Sequence, residues 1–113
     1  MDSKNDLTTL KVMSTKNVMD IRGGSYDDGA GICQYQEHGG LHQFFKFEKE
    51  GEYYAIKSAK SGKALDVGGY GTENGTLVVQ WTFHGGDNQL WLPEIWDEDS
   101  KFIISRESIL GNI

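Results

Sequence analysis

Residues 84–91 read HGGDNQLW, and residues 38–45 of the same chain read HGGLHQFF. Aligning Asp20 with Asp66 extends this likeness outward at an offset of 46 residues, with Leu10 to Phe47 running against Ile56 to Pro93 without a gap. Nine of those 38 positions are identical: Lys11/Lys57, Asp20/Asp66, Gly23/Gly69, Gly29/Gly75, Gln34/Gln80, His38/His84, Gly39/Gly85, Gly40/Gly86 and Gln43/Gln89. Chance would give roughly two at ordinary residue frequencies. Ile21/Val67, Ile32/Val78, Tyr35/Trp81 and Phe45/Trp91 keep apolar or aromatic character, so the copies share a packing plan. An internal repeat decides the fold before any single element does.

The local pattern within each copy is β. Segments such as YYAIKSA (53–59), TLVVQW (76–81) and KFIISRE (101–107) are rich in β-branched and aromatic residues, with Gly, Asn, Asp and Ser between them. Fifteen glycines against one proline suit many tight turns, and no stretch of 11 residues or more holds a helical period. An all-β single domain over 1–113 is expected, with about four short strands per repeat: repeat one at 7–50, repeat two at 53–96 and a partial third at 101–113. In that third copy Phe102-Ile103-Ile104 matches Tyr54-Ala55-Ile56, and Asn112-Ile113 falls where Asp66-Val67 would lie. Such units bury their apolar faces only against stacked neighbours. Something is therefore expected to cover the missing third: a homo-oligomer if the chain is the whole protein, or further sequence if it is a fragment.

With 113 residues, 37% of them hydrophobic, the chain suffices for one modest core. Seventeen acidic residues against eleven basic ones give a net charge of −6, which repels phosphate backbones and anionic membranes. No nucleic acid and no membrane insertion are expected. Cys33 is the sole cysteine, so an internal disulfide and a multi-thiolate zinc site are both excluded. The N-terminal MDSKNDLTTL lacks the apolar core of a secretory signal, and no run approaches the roughly 18 apolar residues of a spanning helix. The compartment stays open, because a domain cut from a longer secreted protein would read the same way.

SGKALDV at 61–67, NGTLVVQW at 74–81 and HGGDNQLW at 84–91 together resemble the ricin B-type (R-type) lectin repeat. The first copy carries the pattern as TKNVMDI (15–21), DGAGICQY (28–35) and HGGLHQFF (38–45), with Phe45 in place of the motif tryptophan. The resemblance implies a β-trefoil, in which three such repeats surround a pseudo-threefold axis and each can carry a shallow sugar site. It implies an Asp just after the second strand that accepts from sugar hydroxyls, an aromatic platform, a His or aromatic beside it, an Asn near the repeat end, and a Gln that orients the Asp or the sugar. Carried over, the second copy offers Asp66, Trp81, His84, Asn88 and Gln89. The first offers Asp20, Tyr35, His38, His42 and Gln43, a weaker set in which an imidazole replaces the amide.

The chemistry fits that implication. A pyranose presents an apolar C–H face and a rim of paired hydroxyls, which an aromatic plane, a carboxylate and a primary amide can meet. No nucleophile stands beside a base, so this is a binding set and no enzyme is expected. Other readings of the same residues remain open. Asp20 and Asp66 could instead cap turns, Trp81 could be a buried strand aromatic, and Gln89 and Trp91 read chiefly as structural. The pairs Gly39-Gly40 and Gly85-Gly86 read as turn residues needing positive φ. His38 and His42 have a metal-like spacing on a helix, but the glycines between them argue for a turn, so no metal or other cofactor is expected. GGYGTENG lacks the ending of a phosphate loop, Asn74-Gly75-Thr76 is a glycosylation sequon only in a secretory pathway, and Cys33 reads as a buried thiol. Asp27-Asp28 and Asp97-Glu98-Asp99 read as solvated charge rather than a glycosidase pair. The sequence thus points to a glycan-binding module for galactose-like or xylan-type sugars. A trefoil serving only protein interaction, or an accessory domain of a larger glycosidase or toxin, is the alternative.

Overall fold

The computed structural model describes residues 7–92 and, beyond them, the backbone pairing of 95–96 with 102–103. Short apolar runs broken by glycine make short strands: β1 (Leu7–Thr8), β2 (Val18–Ile21), β3 (Ile32–Tyr35), β4 (Phe45–Glu50), β5 (Tyr53–Ser58), β6 (Ala64–Val67), β7 (Val78–Trp81), β8 (Ile95–Trp96) and β9 (Phe102–Ile103). Val78 and Gln80 of β7 turn inward while Trp81 faces out, as the two-residue period of a strand requires. Among the described residues there is no α-helix, and no helix long and apolar enough to cross a membrane.

The antiparallel sheet β1-β4-β5-β6-β7 runs through both copies, and β2 and β3 form a separate antiparallel ribbon. Elements recur at the sequence offset. Asp20 pairs with Cys33 across β2 and β3, and Asp66 pairs with Val79 across β6 and β7. The 3-10 turns Arg22–Gly24 and Leu41–Gln43 recur as Gly68–Tyr70 and Asp87–Gln89. The third copy expected over 101–113 lies outside the described residues apart from β9.

One core serves both copies. Leu10, Val12, Met19, Ile21, Ile32 and Phe45 pack with Ile56, Leu65, Val78 and Trp91, each fully buried aliphatic or aromatic chain contributing about 1.5–3 kcal/mol. The Trp91 indole N–H donates to Leu65 O at 3.1 Å, so the largest core ring is also satisfied at its polar edge. Between the copies, Gly29 N–H donates to Gln80 O at 2.8 Å and Gln80 N–H to Ala30 O at 2.9 Å. The fully buried Gln80 side chain adds Nε2 bonds to Ser25 O and Asp27 O, both 2.9 Å, and accepts from Ser61 Oγ at 2.8 Å. Asp28, expected as solvated charge, is exposed and also accepts from Thr82 N–H at 2.8 Å and Thr82 Oγ1 at 3.0 Å, because the same junction brings the two turns together.

Candidate functional site

The second-copy site is built on a buried amide. Gln89 is fully buried, and its Nε2 donates to Asp66 Oδ2 at 2.9 Å and to Thr82 O at 3.0 Å. Its Oε1 accepts from the N–H groups of His84 at 2.8 Å and Gly85 at 3.2 Å. One side chain thereby fixes the carboxylate and the HGG turn together, with its bonding capacity filled. Asp66 is the third residue of β6 rather than a residue just after it, and is itself buried. Among the described residues no donor reaches its Oδ1.

Above this base sits a small polar cradle. Gly86 N–H donates to His84 Nδ1 at 3.1 Å, which orients that ring, and Asn88 Nδ2 donates to Val67 O at 3.2 Å. Asn88 Oδ1 is buried with no hydrogen-bond partner, an arrangement that costs about 1–3 kcal/mol of desolvation unless something donates to it. A Cβ at Gly86 would lie 2.7 Å from His84 Cε1 and 2.9 Å from Asn88 Oδ1, and would collide with Tyr70 Oη. This explains the second glycine of each pair differently from the expectation. Gly39 and Gly85 have φ of 85° and 82°, but Gly40 and Gly86 have ordinary φ of −67° and −69°, and are small because side chains crowd their α-carbons.

Trp81 is 44% exposed, as a platform requires. The His84 ring leans toward a different aromatic, Tyr70, at 6.1 Å between centroids and 33° between planes. The sequence reading missed Tyr70. Its backbone is left-handed at φ 58°, where the aligned residue of the first copy, Gly24, has φ 62°. A tyrosine held in a glycine's conformation, beside Gly86 and His84, marks a position where strain is tolerated for a side chain.

The first copy repeats the base and changes the rim. Gln43 donates to Asp20 Oδ2 at 3.0 Å and Gln36 O at 2.9 Å, and accepts from His38 N–H at 2.9 Å and Gly39 N–H at 3.3 Å. His42 Nε2 lies 3.5 Å from Asp20 Oδ2. The His38 ring contacts both Tyr35, at 5.8 Å and edge-on, and His42, at 5.2 Å. Asp20, His38 and His42 each bring one ligand-type atom within 4.8 Å of the others. Cys33, expected buried, is only partly so, since β3 turns outward after Ile32. Its Sγ lies 3.6 Å from Asp20 O and 3.9 Å from Asp20 Oδ1; burial and then the Asp20 charge push the thiol up, and Arg22 opposes them.

The chain matches the family of ricin-type beta-trefoil lectin domain-like proteins over residues 2–81 and again over 41–108. It belongs to the ricin-type β-trefoil lectin-like family. The overlapping matches are what an internally repeated member of the ricin-type family produces. No curated protein sequence matches it significantly. Solved structures of the same fold include the designed threefold-symmetric protein ThreeFoil, at 32% identity and TM-score 0.78 over 82% of this chain and 67% of that one. An exo-β-1,3-galactanase from Clostridium thermocellum is similar at 31% identity and TM-score 0.74 over 88% of this chain. The Polyporus squamosus lectin, solved bound to the epitope Neu5Acα2-6Galβ1-4GlcNAc, is similar at 26% identity and TM-score 0.68 over 76%. The chain spans 20% of the galactanase and 30% of the lectin. The all-β architecture is thus a β-trefoil, and membership of the ricin-type lectin-like family supports carbohydrate binding in general. Within it, the sequence signal that could have found Tyr70 is its alignment with Gly24, a bulky residue in an otherwise glycine-rich turn.

Proposed function

We propose that the protein is a non-enzymatic carbohydrate-binding module whose principal site is in the second copy. Asp66 and Asn88 meet a pair of sugar hydroxyls, Trp81 offers a stacking plane, and His84 and Tyr70 form a wall. Gln89 holds Asp66 in place. The observation that carries this reading is the buried, unpartnered Asn88 Oδ1 beside Gly86, an acceptor that a ligand hydroxyl would satisfy once a turn of the side chain exposes it. Asp20, Tyr35, His38, His42 and Gln43 form a weaker second sugar site. A galactose-like sugar is favoured, because the galactanase acts on a galactose polymer and the Polyporus lectin is bound to a galactose-containing epitope. Xylan-type sugars are the runner-up. Several such shallow sites on one particle would raise affinity through effective concentration.

The test is a titration of the intact protein with galactose, N-acetylgalactosamine, lactose, xylose oligomers and mannose, read by tryptophan fluorescence and amide chemical shifts. A saturable response is expected for one of them, reduced at least about tenfold, or about 1.4 kcal/mol, by Asn88→Ala or Trp81→Ala. Trp81 is exposed, Asn88 is half-buried, and neither belongs to the core cluster, so these variants are expected to keep the fold. Silence across the panel from a folded sample would sink the lectin reading and favour a trefoil used for protein interaction.

A further inference from the structure

We propose that Asp20, His38 and His42, side chains of the weaker first-copy site, also bind a divalent metal ion of the zinc type, for which the second copy, with Asn88 in place of His42, has one donor fewer. The inference does not depend on the glycan reading of the second copy. Each of the three side chains brings one ligand-type atom within 4.8 Å of the others, and His42 Nε2 and Asp20 Oδ2 are 3.5 Å apart. Tetrahedral zinc with bonds of about 2.0–2.2 Å needs donors about 3.3 Å apart. Closing a separation of up to 4.8 Å to that spacing asks for as much as about 1.5 Å, which rotation of the exposed His38 ring and the partly exposed His42 ring would supply. Two imidazoles and one carboxylate leave the fourth position to water or a ligand oxygen.

On metal binding His38 Nδ1, which accepts from Gly40 N–H at 3.2 Å, would have to give up that donor, either to take the ion itself or to carry the proton while Nε2 ligates. Gln43 Nε2 already holds Asp20 Oδ2 at 3.0 Å. Outer contacts of this kind orient metal ligands and contribute to their affinity. Lys60, whose ammonium lies 5.0 Å from the Tyr26 ring centre, approaches from the Gly24 side. A Cβ at Gly24 would lie 2.8 Å from Lys60 Nζ and 3.4 Å from His42 Nδ1. His42 Nε2, the atom facing Asp20, points elsewhere.

The contrast between copies argues against an accident of turn geometry. At the positions where the second copy carries Asn88, Val79 and Tyr70, the first has His42, Cys33 and Gly24. Two of those three differences put a nitrogen or sulfur donor near Asp20, and the third removes a bulky ring. Imidazole and sulfur suit zinc and its first-row neighbours, whereas the amide and phenol of the second copy suit hydroxyls. The sequence reading set the pair aside because the glycines between them indicate a turn, yet it is a turn that brings the two rings together, with Asp20 added from β2.

The experiment uses the full, untagged, metal-free protein and zinc chloride alone as the probe. Calorimetry should show one saturable zinc site per chain. The imidazole resonances of His38 and His42 should shift on titration while those of His84 do not, and cobalt chloride should give the visible absorption of a tetrahedral ion. His42→Asn, which writes the second-copy residue into the first, should weaken zinc at least about tenfold and preserve the fold. His38→Ala should do likewise. No saturable zinc response, an unchanged affinity in His42→Asn, or an equal shift of His84 would each overturn the proposal. A sugar response with no zinc response would refute this site and leave the glycan reading standing.

Discussion

At the scale of single residues, Tyr70 and Gly24 separate the copies most sharply. Both occupy left-handed backbone, at φ 58° and 62°, but only glycine does so without a steric cost. Relieving about 1 kcal/mol of strain in Tyr70→Gly is roughly offset by the freedom the new glycine gives the unfolded chain, about 0.5–1 kcal/mol. Thermal stability should therefore hold within about 0.5 kcal/mol, while affinity for the sugar that the wild type binds should fall at least about tenfold. Melting curves and the sugar titration read the two effects separately. A destabilised Tyr70→Gly with unchanged affinity would make Tyr70 a packing residue instead. Asn88 tells a similar story from the other side. Its Nδ2 gives one N–H to Val67 O at 3.2 Å, which leaves a second N–H to donate and the unpartnered Oδ1 to accept from a ligand. The same position as His42 offers a ring nitrogen beside Asp20 instead.

At the scale of elements, one repeated amide is used asymmetrically. In both copies, the Gln at this position accepts from a hydroxyl in its own copy, Thr15 Oγ1 to Gln34 Oε1 at 2.7 Å and Ser61 Oγ to Gln80 Oε1 at 2.8 Å. Only Gln80 also reaches two carbonyls of the preceding copy, Ser25 O and Asp27 O, and it is fully buried whereas Gln34 is exposed. Gln80→Ala leaves those carbonyls without their donor and should destabilise the protein by about 2–4 kcal/mol. Gln34→Ala should stay within about 0.5 kcal/mol. Denaturant unfolding of the two variants checks this, and equal losses would refute the clamp. The strands were legible because β-branched and aromatic runs between glycines leave few alternatives, and Gln89 as a partner of Asp66 was one of two roles that the resemblance to the ricin B-type repeat implied. The 3-10 turns were not. Three residues fall below any periodicity window, and Asp87–Gln89 carries no side-chain cap to announce it. Gly86 was read as a turn glycine because sequence shows a missing side chain but not the Tyr70 hydroxyl that requires its absence.

At the scale of the whole molecule, neither copy owns a core. Ile21 and Phe45 of the first and Ile56 and Leu65 of the second are all fully buried in one cluster, with Trp91 at its edge hydrogen-bonded to Leu65. The five-stranded sheet crosses between copies at the β4–β5 hairpin, and Gly31 pairs with Val79 from the other direction. The copies are thus linked at two places, and neither can open without exposing apolar surface of the other. A repeat array with independent units would melt in steps, whereas this arrangement couples the units into one transition. Near-ultraviolet and far-ultraviolet circular dichroism should therefore give coincident thermal curves. A peptide of residues 53–96 alone should remain unfolded, since it would keep Ile56, Leu65, Val78 and Trp91 but lose Leu10, Val12, Met19, Ile21, Ile32 and Phe45 that cover them. A folded 53–96 peptide, or two separated transitions in the full chain, would show that the repeat is the folding unit and that the junction through Gln80 contributes orientation rather than stability.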